Sequence, residues 1–370
     1  MKTIKDIPDI EGKRIFVRVD LNVPVQNGVV VDDFRIRAAL PTIQLLLDKG
    51  AHIVLASHFE GEGGSLKPVY EYLKKTYNDL VFVEHYFPET SSDFMQHRIV
   101  LLENLRKYEG EKANDPVFAE HLSSLADIYV NESFASSHRP HASFVGIPKY
   151  IPSFAGITFM NEVENLSKAF NPEHPFLFIL GGAKFETKIP LVKKFSNLAD
   201  TMFVGGAIAN DFFRAKGIRT GKSLLSKGDF NLHEFLSPKL LLPNSVVVEG
   251  NEGSVTKDVT KVDEDEKIVD VGLTSIEDLK LVIEQAKTIV WNGPLGNYEA
   301  GYKEGTLLLA RLVAQSSAHS IVGGGDTVAS IADLHLEKDF TFLSSAGGAM
   351  LDFLANGTLP GIEALQSSHL

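Results

Sequence analysis

Short apolar runs alternate with amphipathic stretches along the whole chain. Residues 14–19, 52–56, 80–83, 98–102 and 128–130 are short, rich in Ile, Val and Leu, and read as buried strands. Residues 34–47 place Ile36, Leu40, Ile43 and Leu47 at helical spacing, with Asp32 and Asp33 positioned to supply an N-cap. The second half repeats the alternation: residues 176–180, 201–204, 245–248, 288–291, 320–322 and 341–343 read as strands, each followed by a glycine-rich turn or a helix. Strands that alternate with helices predict parallel sheets covered on both faces. Proline-bearing breaks at 148–152 and 171–175 bracket a helix predicted over 156–170, which reads as a connector between two α/β domains.

A length of 370 residues agrees with two domains. The net charge of −12, from 36 basic and 48 acidic residues, argues against general binding of nucleic acid or anionic membrane. Any anion site must therefore be locally basic. The chain has no cysteine, which excludes disulfides, thiolate zinc sites and cysteine nucleophiles. Charges and prolines occupy the first ten residues, where a signal peptide would be apolar, and no apolar run approaches the roughly 18 residues of a membrane span. A cytoplasmic location is expected. The glycosylation triplets at Asn131 and Asn356 read as chance matches.

Two motifs fail on inspection. GIRTGKS at 217–223 has three residues between its glycines where a P-loop needs four, so the backbone N–H groups cannot be arranged as that motif requires. His138 and His141 lack a third ligand at a recognisable spacing, and a hydrogen-bonded structural role is expected for them.

Other positions carry chemistry. A predicted strand ends in Arg18-Val19-Asp20-Leu21-Asn22-Val23-Pro24, a charged and amide-bearing cluster where a doubly wound sheet places its ligands. Taken alone, this cluster also fits an Asx turn. Arg35 lies in the first turn of its helix, where the dipole disfavours a cation, and together with the helix N–H groups it can bind an anion. His58, Arg106 and Arg139 each follow a strand and map to the same sheet edge, as a clamp for phosphate and carboxylate would require. In the second half, Gly181-Gly182, Gly205-Gly206, Asn292-Gly293, Gly323-Gly324-Gly325 and Gly347-Gly348 follow strands, so backbone N–H groups can approach a phosphate closely. Asp326 and Thr327 open a helix, where a carboxylate can reach a nucleotide-bound Mg²⁺. Lys184 and Lys188 share one helix face.

These segments, in this order, resemble phosphoglycerate kinases over essentially the whole chain. The resemblance is carried by RVDLNVP at 18–24, RIRAALPTI at 35–43, Ser57-His58, LLENLR at 101–106 and the HR-x-H-x-S stretch at 138–143. It continues in LGGAK-x-x-x-K at 180–188, VWNGPLG-x-x-E at 290–299, GGGDT at 323–327 and the closing GGAML and LPGI. It implies two Rossmann-like domains joined by a connector helix and a hinge: 1–155 for the glycerate ligand, 156–172 as connector and 173–355 for the nucleotide. The tail 356–370 is expected to return to the first domain. The implied reaction is reversible transfer of the acyl phosphate of 1,3-bisphosphoglycerate to Mg-ADP, giving 3-phosphoglycerate and ATP, with hinge closure excluding water. The acceptor is already an anion, so no general base is needed.

By resemblance Arg35 and Lys184 are catalytic. Asp20, Leu21, Asn22, Arg35, His58, Arg106 and Arg139 hold the glycerate ligand. Lys188, Gly205, Asn292, Glu299, Gly323, Gly324, Gly325, Asp326 and Thr327 meet the nucleotide, with Asp326 as the Mg²⁺ ligand and Glu299 on the ribose. A monomer is expected.

The chain departs from the family pattern in places. The usual S-H-x-G-R reads Ser57-His58-Phe59-Glu60-Gly61, so an arginine expected to grip substrate phosphate is missing. Glu132, Asn161, Leu273, Ala346 and Met350 also differ from the usual residues. These departures leave open an alternative, a non-catalytic nucleotide-binding homologue with a weakened glycerate site.

Overall fold

The computed structural model describes residues 1–88, 94, 96–183, 185–228 and 230–368. The chain forms two compact units: Met1–Glu164 with Thr358–Leu370, and Asn165–Gly357.

The first unit is built on a six-stranded sheet. Across it run Val81–Val83, Ile99–Leu102, His52–Ala56, Arg14–Arg18, Ile128–Asn131 and Ser153–Ala155, each parallel to its neighbours. The central strand Arg14–Arg18 is buried at every position, because elements cover both faces and no alternation with polar residues is needed. One face carries Ile15, Val17, Ile53, Leu55, Leu101 and Val130, which pack with Ile36, Ile43 and Leu46 of the helix Phe34–Asp48. The start of this helix differs from expectation. Asp33 occupies the N-cap position but makes no cap bond; it pairs with Arg37 at 2.8 Å and accepts from Tyr72 Oη at 2.5 Å. Asp32 serves the helix end instead, accepting from Phe34 N at 2.9 Å. The C-terminal helix Pro360–Ser367 joins this unit through a bond from Gly361 N to Ser137 O at 2.9 Å.

The second unit repeats the plan. Its sheet runs Leu240–Leu241, Thr201–Val204, Phe176–Leu180, Thr288–Asn292, His319–Gly323 and Phe342–Ser344, again all parallel. Leu177, Ile179, Phe203, Ile289, Trp291 and Val322 lie in its core.

Residues 245–248 correct the sequence reading. They belong not to the parallel sheet but to a separate antiparallel one, in the order Gly253–Asp258, Ser245–Gly250, Lys267–Val271. Asn251 and Glu252 form the tight turn of a hairpin, and Val246 and Val248 are buried while Glu249 is exposed. One-sided burial of this kind is what an antiparallel sheet tolerates and a doubly covered parallel sheet does not. Among the described residues, no helix is long and apolar enough to cross a membrane.

Candidate active site

Parallel strands bring their C-terminal ends to a single edge, and in each unit the chemistry-bearing residues gather there. In the first unit, Asp20, Leu21 and Asn22 follow Arg14–Arg18, and His58 follows His52–Ala56. Arg106 follows Ile99–Leu102, and Arg139 follows Ile128–Asn131. The Asx turn is present, with Asn22 N donating to Asp20 Oδ1 at 3.2 Å. It also orients an arginine: Arg35 Nη1 donates to Asp20 Oδ2 at 3.1 Å and to Asn22 O at 3.2 Å. The Leu21 side chain is fully buried and its N–H is taken by Ser57 Oγ at 2.9 Å, so Leu21 fixes the turn. Arg106 pairs with Glu60, and Arg139 Nη1 lies 3.6 Å from the same carboxylate oxygen.

Arg18 lies behind this edge, fully buried. Its Nε donates to Ser143 Oγ at 2.9 Å and its guanidinium stacks on Phe144 at 4.3 Å. Arg18 Nη2 is 3.3 Å from His58 Nδ1. An arginine can only donate, so Nδ1 accepts and the imidazole proton sits on Nε2. Burial, followed by the charges of Arg18, Arg139 and Arg35, lowers the His58 pKa to about 2. His58 is therefore a neutral hydrogen-bond donor at any working pH. Burial, then Arg139, lowers His141 to about 4. The Nδ1 atoms of His138 and His141 are buried and make no hydrogen bond among the described residues, so the hydrogen-bonded role expected for them is not seen at these atoms.

The second unit holds a cavity of about 750 Å³ at its strand ends. Gly182, Lys188, Asn292, Glu299, Gly324, Gly325 and Asp326 line it. Lys188 is buried, and its ammonium donates to Gly181 O. Burial alone lowers its pKa from 10.5 to about 8, and no carboxylate among the described residues is paired with it. A buried ammonium without a counter-anion can pair with an anionic group of a ligand. Gly293 is required here: φ is +95°, and a Cβ would lie 2.5 Å from Gly181 O and 2.8 Å from Lys188 Nζ. Gly324 is the N-cap of the helix Gly325–Asp333, so that helix end, with its free N–H groups, faces the cavity.

Other sequence candidates lie off this wall. Gly205 packs on Leu295, where a Cβ would meet Leu295 Cδ2 at 2.7 Å, and Gly323 lies under Met350 Sδ. Thr327 is buried, and its Oγ1 has no partner among the described residues. Lys184 lies outside the described residues.

The structure adds residues that sequence reasoning passed over. Lys222, from the segment that failed as a P-loop, lines the cavity together with Lys267 and Asp270. Burial raises the Asp270 carboxyl to about 6. The antiparallel hydrogen bonding that brings residue 221 to residue 267 delivers both lysines, and no one-dimensional motif reports it. Glu60 was visible in the sequence only as an acidic neighbour of the missing arginine.

The donor set suits a nucleotide-borne Mg²⁺. Among the described residues, no three His, Cys, Asp or Glu side chains form a metal cluster, whereas Asp326 offers one exposed carboxylate on the cavity wall. Mg²⁺ is commonly held by one or two carboxylates plus substrate phosphates.

The chain is similar to known proteins over nearly its whole length. The sequence profile of the family described as "Phosphoglycerate kinase" matches residues 4–357. A curated phosphoglycerate kinase of Dictyoglomus turgidum is 42% identical, with 99% of each chain covered. The solved phosphoglycerate kinase of Coxiella burnetii superposes with a TM-score of 0.87 at 34% identity, covering 98% of each chain. That of Pyrococcus horikoshii gives 0.86 at 28% identity, covering 100% of this chain and 99% of the other.

Proposed function

The chain belongs to the phosphoglycerate kinase family, and from that premise we propose how its two units divide the reaction: the first holds the glycerate ligand and the second the nucleotide. The chemistry is transfer of a phosphoryl group between the carboxylate of 3-phosphoglycerate and ADP, reversibly. Both acceptors are already anionic, so catalysis reduces to positioning and charge neutralisation.

The observation that carries this division is that each unit has its own anion-receptive edge: four arginines in or behind that of the first, and a buried, unpaired lysine in the glycine-lined cavity of the second. His58 donates from Nε2 without adding charge. Arg106 and Arg139 take the ligand phosphate. The Asp20–Asn22 turn holds Arg35 at the reacting end, where its charge offsets that of the transferring group. Lys188 and the N-terminus of the helix Gly325–Asp333 take nucleotide phosphates, and Glu299 accepts from the ribose. Thr327, with its orphaned hydroxyl, offers a further donor, and Gly205 and Gly323 support the phosphate turns from behind. Lys184 keeps the catalytic role that the family resemblance gives it.

Asp326 would hold Mg²⁺ with the nucleotide. The ion supplies charge neutralisation at the phosphates when bound. Closure of the two domains is the step that brings the ligands together and excludes water. We further propose a cytoplasmic monomer that does not bind nucleic acid, in keeping with the acidic net charge.

Calorimetry tests the division. Lys188→Met is expected to weaken ADP binding and leave 3-phosphoglycerate binding unchanged, and Arg106→Ala the reverse. Loss of both ligands in either variant would refute it.

A further inference from the structure

The loop 58–66 is pinned on both sides. Asn104 Oδ1 accepts from Phe59 N at 3.0 Å, and Asn104 Nδ2 donates to Phe59 O and Gly64 O at 2.8 Å each. Glu103 accepts from Ser65 Oγ at 2.6 Å and from Leu66 N at 2.8 Å. Glu60 N donates to Asn22 Oδ1 at 2.9 Å. The buried Phe59 ring lies on Gly61, where a Cβ would be 2.4 Å from Cζ, so no side chain enters at 61 without displacing that ring. An arginine restored there alone would not fit this loop.

The anchored backbone aims the Glu60 carboxylate at the arginines. Its Oε1 pairs with Arg106 and lies 3.6 Å from Arg139 Nη1. Arg106 is almost wholly buried, and its Nε has no partner among the described residues, whereas the Glu60 side chain is 54% exposed. A carboxylate of the chain itself thus occupies the guanidinium pair that a ligand's phosphate would use.

We propose that Glu60 is an internal competitor for Arg106 and Arg139 that a ligand phosphate displaces and a lone carboxylate does not, and that it thereby lowers the affinity of any ligand that must take up those arginines. This rests on the reading of the arginine edge as the glycerate-ligand site. A singly charged ligand offers those arginines no stronger bond than the one Glu60 already makes, and Glu60 is tethered, so its local concentration is high. A phosphate brings about two negative charges and three acceptor oxygens, enough to serve both arginines. The released Glu60 is half-exposed already and rehydrates at little cost.

Calorimetry with D-glycerate and with 3-phosphoglycerate, on wild type, Glu60→Gln and Glu60→Asp, tests the inference. In Glu60→Gln the Kd for 3-phosphoglycerate is expected to fall roughly threefold, as removal of a competing state allows, and that for D-glycerate, which brings no phosphate to the arginines, to change less. Glu60→Asp, with a shorter arm, is expected to fall between. Binding of 3-phosphoglycerate no tighter than in wild type, or equal tightening for both ligands, overturns the proposal. Arg106→Ala separates the two levels: if it leaves 3-phosphoglycerate affinity unchanged, the assignment of the site is wrong rather than the role of Glu60.

Discussion

Replacing Lys188 by methionine should make the ligand-free protein more stable while impairing nucleotide binding. The ammonium is buried and bonded to Gly181 O, with no carboxylate partner among the described residues. The fall in its pKa from 10.5 to about 8 corresponds to roughly 3 kcal/mol of unfavourable burial of the charged form. Methionine keeps the length of the side chain and loses the charge. Deducting about 1 kcal/mol for the bond to Gly181 O leaves a net gain of about 2 kcal/mol at pH 7.

The sign with pH follows from proton linkage. Between pH 8 and 10.5 the unfolded lysine is protonated and the folded one is not, so wild-type stability rises with pH across that window. The advantage of Lys188→Met should therefore shrink by about 2 kcal/mol between pH 7 and pH 9.5. Denaturant titration at the two pH values measures this. ADP calorimetry should show affinity reduced roughly 10- to 150-fold, the worth of one charge-assisted bond. In wild type at pH 8.5, ADP binding should take up a fraction of a proton, seen as a buffer-dependent enthalpy. A variant less stable than wild type at pH 7, or a difference that does not change with pH, would refute the reasoning.

Other expectations follow from the same structure. Glu132 is buried, with Oε1 accepting from Thr42 Oγ1 at 2.8 Å and from Thr158 N at 3.0 Å, and Oε2 has no partner among the described residues. Burial raises its pKa to about 7, so its contribution is full below the ordinary 4.5 and lost as pH rises through 7. Glu132→Gln should be more stable than wild type by about 1–3 kcal/mol at pH 8, and equal to it near pH 4.5, by denaturant titration. Gly293→Ala places a methyl group against Gly181 O and Lys188 Nζ at a left-handed backbone position. It should cost about 2–4 kcal/mol of stability and impair ADP binding, measured by thermal unfolding and calorimetry. Because His58 and His141 titrate at about 2 and 4, kcat should show no histidine inflection between pH 6 and 8. A bell centred near 6.5 would reinstate a general base.

The parallel sheets were legible in the sequence because doubly covered strands are continuous apolar runs. The edge that gathers the candidate residues follows from parallel pairing alone, so the sequence groups Asp20, His58, Arg106 and Arg139. The antiparallel sheet was not legible at residues 245–248, where a short valine run gives the same local signal in either pairing and only its distant partners decide. The position of Asp33 predicts a cap, yet Tyr72, 39 residues away, takes its carboxylate. The position of Glu60 against the arginines is not legible in the sequence, because it depends on where Asn22 and Asn104 anchor the loop. Lys222 reaches the cavity through the pairing of residue 221 with residue 267 and not through a P-loop.

Steady-state turnover of 3-phosphoglycerate and Mg-ATP, with the Arg35→Met variant beside wild type, tests charge neutralisation most directly. Wild type should turn over. Arg35→Met should lose roughly 10³-fold or more in kcat, as loss of an arginine at a transferring phosphoryl group does, with a much smaller change in the KM for ATP. Absence of wild-type turnover at saturating ligands, or an Arg35→Met enzyme with undiminished kcat, would contradict the account.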